Sequence, residues 1–411
     1  MRSLPSVELS NAQAVVVLTT DAEVPPELAD HATVIEWPLP DREDIAATLD
    51  AAIDGLREDL REAALPPDVR DAAIDAAVGL SEEEAASCFA RSLVQYKRID
   101  PAAVANEKKQ IITRSGVLEW MDPLPGGLEA VGGLGNLKAW LVQRECAFSA
   151  EARAYGLPPP RGAFLVGLPG CGKTYIAKAI ATAWSVPLLK MDLNALKSKF
   201  VGESEANLRK AFQTAEAIGP HVLLVDEIEK ALAGATQGAA DGGVSSDALG
   251  ALLTWMQERR GQSFFVATSN DISQLPPELL RKGRFDEVWF VDVPTREERM
   301  EVLKAALISH GRRSVKINLE AVADACEDFT GAEIAALVPD ALFTAFADKK
   351  REVATKDLLA AAQTVIPMTK SAGEKISKLR QWQAEGRARA ASTTVRKAGR
   401  VAGRRDRLLE V

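Results

Sequence analysis

The sequence predicts an α/β protein: a parallel sheet with crossover helices in mid-chain, a helical module after it and a smaller α/β module before it. Three observations carry this expectation. From about Arg161 to Val293, short apolar runs alternate with helix-length amphipathic segments, as in strands joined by crossover helices. Beyond Pro294 the apolar spacing is helical, to about Thr364. Ahead of residue 120, two β-branched runs (residues 13–19 and Thr33 to Trp37) precede a helical pattern that starts at Asp41.

The boundaries follow from composition. Residues 1–120 form the N-terminal module, and the Pro- and Gly-rich stretch 121–136 reads as a linker. Residues 137–294 form the large α/β domain, 295–368 a helical lid, and 369–411 a basic tail. A length of 411 residues suits two or three domains. With 47% hydrophobic and 26% charged residues the chain is globular rather than disordered. No apolar run reaches membrane-spanning length and no signal pattern opens the chain, so no membrane partner is expected. Four cysteines without a CxxC pair argue against a disulfide scaffold or zinc ribbon and fit a reducing cytoplasm. Three histidines leave little for metal or triad chemistry.

Charge is unevenly spread. Residues 1–120 carry 23 Asp/Glu against 11 Lys/Arg, whereas residues 370–411 carry 12 Lys/Arg against 4 Asp/Glu. The tail is either a solvated segment or a docking arm for an acidic partner or nucleic acid. It has no interleaved aromatics, which disfavours sequence-specific nucleic-acid recognition.

The strongest motif is Gly167-Leu168-Pro169-Gly170-Cys171-Gly172-Lys173-Thr174, a complete G-x-x-x-x-G-K-[ST]. It lies between an apolar run, Ala163 to Val166, and a helical run opening at Tyr175, which is the strand–loop–helix setting the motif requires. Its glycines let backbone N–H groups turn toward phosphate oxygens at a helix N-terminus. Lys173 would reach the β- and γ-phosphates and Thr174 would ligate Mg²⁺. A second strand, His221 to Val225, ends in Asp226 and Glu227: one carboxylate for the Mg²⁺ shell, one to polarise an attacking water. A third, Phe264 to Ser269, ends at Asn270, whose amide could orient that water. Arg281 and Arg284 flank a glycine; they are surface charge or groups for γ-phosphate charge in the transition state.

Together the phosphate loop, LLVDE, ATSN and LLRKGRFD segments resemble the AAA+ ATPases in order and spacing, over roughly residues 123–366. The resemblance implies an α/β P-loop ATPase domain with a helical lid. It implies ATP and Mg²⁺, with Asn270 as polar sensor and Glu227 activating water. Arg281 and Arg284 become fingers acting on a neighbouring subunit's ATP, and hence a homo-oligomeric ring, most often a hexamer. The implied nucleotide contacts are Gly132, Gly167, Pro169, Gly170, Cys171, Gly172, Lys173, Thr174, Tyr175, Asp226, Gly331 and Ala332, with Thr174 and Asp226 at the metal. Longer segments, among them PRGAFLVGLPGCGKT and ISKLRQWQAEGRARAAS, resemble the group named after a hypothetical chloroplast reading frame.

Residues 14–45 echo 264–299: each runs strand, turn, Pro-Pro-Glu-Leu, strand, Pro, charged helix start. LSEEEAASCFARSL (80–93) answers FTGAEIAALVPDAL (329–342) more loosely. The N-terminal module therefore reads as the back half of a degenerate second copy. Its first strand falls within about the first dozen residues, so no phosphate loop precedes it. Thr20 stands near the Asn270 position, and only Ala29 to Thr33 where the arginines would lie. It is expected to be catalytically silent.

Lys199-Phe200-Val201-Gly202 resembles the aromatic–aliphatic–Gly triplet that lines the pore of AAA+ unfoldases; the alternative is that Phe200 packs on its own domain. The Gly-rich stretch Gly234 to Ser246 could face a pore or simply connect helices. Three functions compete: an ATP-driven remodeller of a protein client, a nucleotide-gated assembly scaffold, and a nucleic-acid motor using the tail. Glu227 with two candidate fingers favours hydrolysis over a pure scaffold, and Phe200 favours polypeptide over nucleic acid.

Overall fold

In the computed structural model, residues 28, 31–33, 35, 39–114, 117–193, 204–232, 244–259 and 262–393 are described. The chain divides into a unit of residues 1–38 and a unit of residues 39–411. In the first, the His31 amide donates to the Leu28 carbonyl. The first strand expected there lies outside the described residues, as do Val34, Glu36 and Trp37 of the second, of which Thr33 and Ile35 are described and lie in no strand.

In the second unit, seven strands form one sheet: β1 (Leu118–Met121), β2 (Gly162–Gly167), β3 (Leu188–Met191), β4 (His221–Val225), β5 (Ser263–Ser269), β6 (Glu287–Val291) and β7 (Arg389–Ala390), in the order β1-β3-β4-β5-β2-β6-β7. β2 is wholly buried between β5 and β6, which explains its unbroken apolar run. All pairs are parallel except β1 with β3, so the expected parallel sheet carries an antiparallel edge. Helices Lys173–Ala183, Ser204–Ala217 and Val244–Glu258 connect the strands. Trp140, Trp184, Phe264 and Trp289 interlock in the core, with Trp184 edge-on to Phe264 at 4.6 Å between centroids and Trp140 edge-on to Trp289 at 5.8 Å.

The expected linker and tail both take part in this core. Met121 ends β1, and the 3₁₀ turn Gly127–Ala130 packs near the Lys173–Ala183 helix. In the basic segment, the helix Gly373–Trp382 buries Ile376, Leu379 and Trp382 against the sheet domain. β7 then extends the sheet beside β6, and Asn136 Nδ2 donates to the carbonyls of Ala390 and Ser392. Amphipathic spacing in ISKLRQW was masked by the basic composition around it.

The lid has its own core, in which Leu303, Leu307, Ile334, Leu337 and Leu358 are buried between the helices Arg296–Ser309, Gly331–Ala347 and Thr355–Thr364. The N-terminal helices Arg42–Asp54, Pro67–Ala77, Glu82–Tyr96 and Pro101–Arg114 enclose another, around Ile45, Leu49, Ile74 and Phe89. Capping boxes start two helices in each bundle: Asp41/Asp44 and Ser81/Glu84 in one, Thr295/Glu298 and Thr330/Glu333 in the other.

His221, at the start of β4, is fully buried; Nδ1 donates to the Gly219 carbonyl and Nε2 has no partner. Burial pushes its pKa down to about 4. The folded pKa lies below the ordinary value of 6.5, so between these limits the unfolded chain binds more protons and stability falls as pH drops through the window. The loss is at most about 1.4 kcal/mol per pH unit. Denaturant unfolding at pH 7 and pH 5 is expected to show a smaller stability difference in His221→Gln than in the unaltered chain.

Candidate nucleotide site

The ends of β2, β4 and β5 open into a cleft of about 510 Å³ between the sheet domain and the lid. Open parallel sheets bind ligands at the carboxyl ends of their strands. After β2 the chain turns through Gly170 and Gly172, with φ of +78° and +89°, where a side chain would be strained. Gly172 caps the Lys173–Ala183 helix without a side-chain hydrogen bond, leaving first-turn N–H groups for an anion.

Lys173 is 6% exposed, and its Nζ donates to the carbonyls of Gly167 (2.9 Å) and Leu168 (2.7 Å) and to Asn270 Oδ1 (2.7 Å). Burial lowers its pKa to about 8, opposed by the charges of Glu229, Asp226 and Glu227 among others. Thr174 Oγ1 lies 3.0 Å from both Asp226 carboxylate oxygens. Asp226 has no ion-pair partner among the described residues. An alcohol oxygen beside a carboxylate with no paired cation is a donor set that fits a hard cation such as Mg²⁺.

Glu227 adopts φ +52°, uncommon for a residue with a side chain, and its N–H donates to Thr268 Oγ1 at 2.9 Å. Thr268 in turn donates to Asp226 Oδ1 at 2.5 Å. The Glu227 carboxylate is held on both sides, by Asn270 Nδ2 at 2.9 Å and Lys230 Nζ at 2.5 Å. Asn270 thus bridges the lysine of the phosphate loop and the carboxylate after β4.

The lid closes one wall. The Ala332 N–H donates to the Gly170 carbonyl at 2.9 Å, joining the Gly331–Ala347 helix to the phosphate loop. Opposite, Gly133 and Leu134 donate to the carboxylates of Glu301 and Glu298 on the lid helix Arg296–Ser309. A Cβ on Gly132 would sit 2.3 Å from the Val302 nitrogen, so only glycine fits there.

The structure therefore brings Gly132, Pro169 to Tyr175, Asp226, Glu227, Asn270, Gly331 and Ala332 to one cleft, with the Gly167 carbonyl on Lys173. Arg281 and Arg284 do not line it. Arg281 is exposed; Arg284 is buried and donates to the Glu278 carbonyl at 2.6 Å, and burial with the neighbouring Arg281 lowers its pKa. Lys199, Phe200 and Val201 lie outside the described residues. The thiol of Cys171, inside the phosphate loop, is buried, and burial pushes its pKa up to about 12. Thr268, Glu229 and Lys230 were not singled out from sequence. Thr268 lies two residues before Asn270, so strand alternation puts both on one face; for the other two no signal stood out.

The chain is similar to known proteins over its sheet domain and its lid. The model of the ATPase family associated with various cellular activities (AAA) matches residues 163–293, and an AAA+ lid model matches residues 316–360. An uncharacterized AAA domain-containing protein ycf46 from Trieres chinensis is 35% identical over 93% of this chain and 76% of its own length. The chain belongs to the AAA+ ATPases. Its resemblance to the ycf46 group holds also for the Guillardia theta protein of that name, 36% identical over 95% of this chain and 77% of its own length. A cell division cycle protein 48 homolog from Archaeoglobus fulgidus is more distant, 29% identical over 69% of this chain and 37% of its own length. A model for the second domain of SpoVK-like AAA ATPases matches residues 43–115, so the N-terminal module is itself AAA-like. No helix among the described residues of this AAA+ chain is long and apolar enough to cross a membrane.

Thr268→Val keeps the shape and removes the hydroxyl that joins Asp226 to the Glu227 backbone. Denaturant unfolding is expected to show a loss of about 1–3 kcal/mol, the cost of leaving buried polar groups unpaired.

Proposed function

We propose that the protein hydrolyses ATP in this cleft and uses the cycle to remodel a protein client within a homo-oligomeric ring. The observation that carries the chemistry is the chain of hydrogen bonds Lys173–Asn270–Glu227, set beside the Thr174–Asp226 pair. It links a group for phosphate charge, an orienting amide and a base at the ends of adjacent strands. Thr174 and Asp226 would hold Mg²⁺, which supplies charge neutralisation on the phosphate oxygens. Lys173 and the N–H groups of the loop bind the phosphates. Asn270 and Glu227 orient a water toward the γ-phosphorus; its oxygen bonds to phosphorus, Glu227 takes the proton, and the bond to the bridging oxygen of ADP breaks.

Arg281 is exposed and lies off its own cleft, which supports a finger acting on the next subunit. Such a contact is head-to-tail, and a head-to-tail contact whose rotation closes generates a ring. A polypeptide client is favoured by Phe200, whose ring contact would be apolar and non-directional. The acidic N-terminal module serves as an adaptor for partners.

Glu227→Gln is expected to bind ATP with Mg²⁺ and lose turnover by at least about 100-fold, the lower range for general-base removal. Lys173→Ala is expected to weaken binding itself. Fluorescent-nucleotide titration and phosphate release separate the two; near-normal turnover in Glu227→Gln removes it from the base role.

Arg281→Ala is expected to bind ATP and not hydrolyse it. Mixing it with Glu227→Gln subunits restores part of the activity, at interfaces that combine an intact arginine with an intact base. A monomer that hydrolyses ATP at the full rate would contradict the ring reading.

A further inference from the structure

Three acidic residues are buried to less than 9% exposure among the described residues: Glu229, Glu298 and Asp357. Two have evident structural work. Glu298 closes a capping box and receives the Leu134 N–H, and Asp357 receives both arms of Arg351. Glu229 is different. It lies in the short helix Ile228–Leu232, three residues after Asp226, and is 5% exposed. Its Oε1 accepts the backbone N–H of Asn270 at 3.0 Å, and its Oε2 is buried with no hydrogen-bond partner among the described residues. An unpaired acceptor there costs about 1–3 kcal/mol. An apolar side chain would avoid that cost but would leave the Asn270 N–H without its acceptor, so what the carboxylate does here is hold Asn270.

Its one bond falls at a consequential place. β5 ends at Ser269, and beyond it no ladder partner fixes Asn270. The Asn270 side chain must nevertheless meet Lys173 Nζ at 2.7 Å and Glu227 Oε1 at 2.9 Å together. Two stitches hold the neighbouring backbone, Thr268 to Asp226 and the Glu227 N–H to Thr268. Glu229 supplies the third, on Asn270 itself.

We propose that Glu229 is a positioning residue for hydrolysis: its carboxylate pins the Asn270 backbone so that the Asn270 amide bridges Lys173 and Glu227. The proposal rests on the roles given above to Asn270 and Glu227. Glu229 does not line the cleft; it acts through Asn270. Displacing a catalytic group by about 1 Å can cost on the order of 100-fold in rate, so loss of this anchor lowers turnover while the phosphate loop still binds nucleotide.

The test is a double-mutant cycle in the full chain. Glu229→Met keeps the length and removes the acceptor; Glu229→Gln keeps a carbonyl oxygen; Asn270→Ala removes the bridge. Steady-state ATPase, fluorescent-nucleotide affinity and thermal midpoints are measured for each, and for Glu229→Met combined with Asn270→Ala. The expected result is kcat lowered at least about tenfold in Glu229→Met with affinity within about twofold. Glu229→Gln then recovers most of the rate, and the double variant is no slower than Asn270→Ala alone. Unchanged kcat in Glu229→Met, losses that multiply in the double variant, or equal losses of kcat and affinity in Glu229→Met and Glu229→Gln would each overturn it. Should Glu229→Met not fold, Glu229→Ala takes its place in the same cycle. Glu227→Gln measured alongside tests the base separately: normal turnover there ends that role, while the coupling of Glu229 to Asn270 is still read from the cycle.

Discussion

The ammonium of Lys173 is almost wholly out of water, and a buried charge is tolerated only where its hydrogen bonds are satisfied. All three of its N–H donors find an oxygen: two carbonyls at the end of β2 and the amide oxygen of Asn270. That requirement shapes its surroundings. The loop must curl so that Gly167 and Leu168 face inward, β5 must end level with β2, and Asn270 must turn its oxygen toward the lysine. The Asn270 nitrogen is then left to face Glu227. The amide's two ends therefore fix which charged group lies on which side of the cleft.

Around that point the strands are joined through side chains where their ladders stop. β4 and β5 pair along His221 to Val225, and past Val225 the connection passes to Thr268, Glu227 and Glu229. Side-chain bonds at a strand end can be broken singly without unzipping the sheet. Glu227 and Asn270 thus sit on the sheet through side-chain contacts rather than through its ladders.

Legibility in the sequence followed the range of the signal. The phosphate loop, the strand ending in Asp226 and Glu227, and Asn270 were readable because each is a short motif whose neighbours in sequence are its neighbours in space. The capping boxes at Asp41, Ser81, Thr295 and Thr330 are local too, and they underlie the loose internal echo between the two helical bundles. Contacts across long separations were not readable: Glu229 with Asn270, Glu298 with Leu134, or β7 with β6 some hundred residues earlier. The Gly373–Trp382 helix was hidden because Arg and Lys around it outweighed three apolar residues at helical spacing. At Gly132 the resemblance implied a nucleotide contact, and the reason for glycine lies in the approach of the Val302 backbone, 170 positions away.

The return of the chain to the sheet domain has a mechanical consequence. The polypeptide enters the lid after β6 and leaves it for the Gly373–Trp382 helix, which Arg380 fastens to Asp292 at 2.8 and 3.0 Å and Lys375 to Asp271 at 3.1 Å. The lid is therefore held to the sheet domain at both ends of its chain, in addition to the bonds of Ala332 to Gly170 and of Gly133 to Glu301. A load on the lid is shared between the end of β6 and the Gly373–Trp382 helix, where one covalent link alone would carry it all.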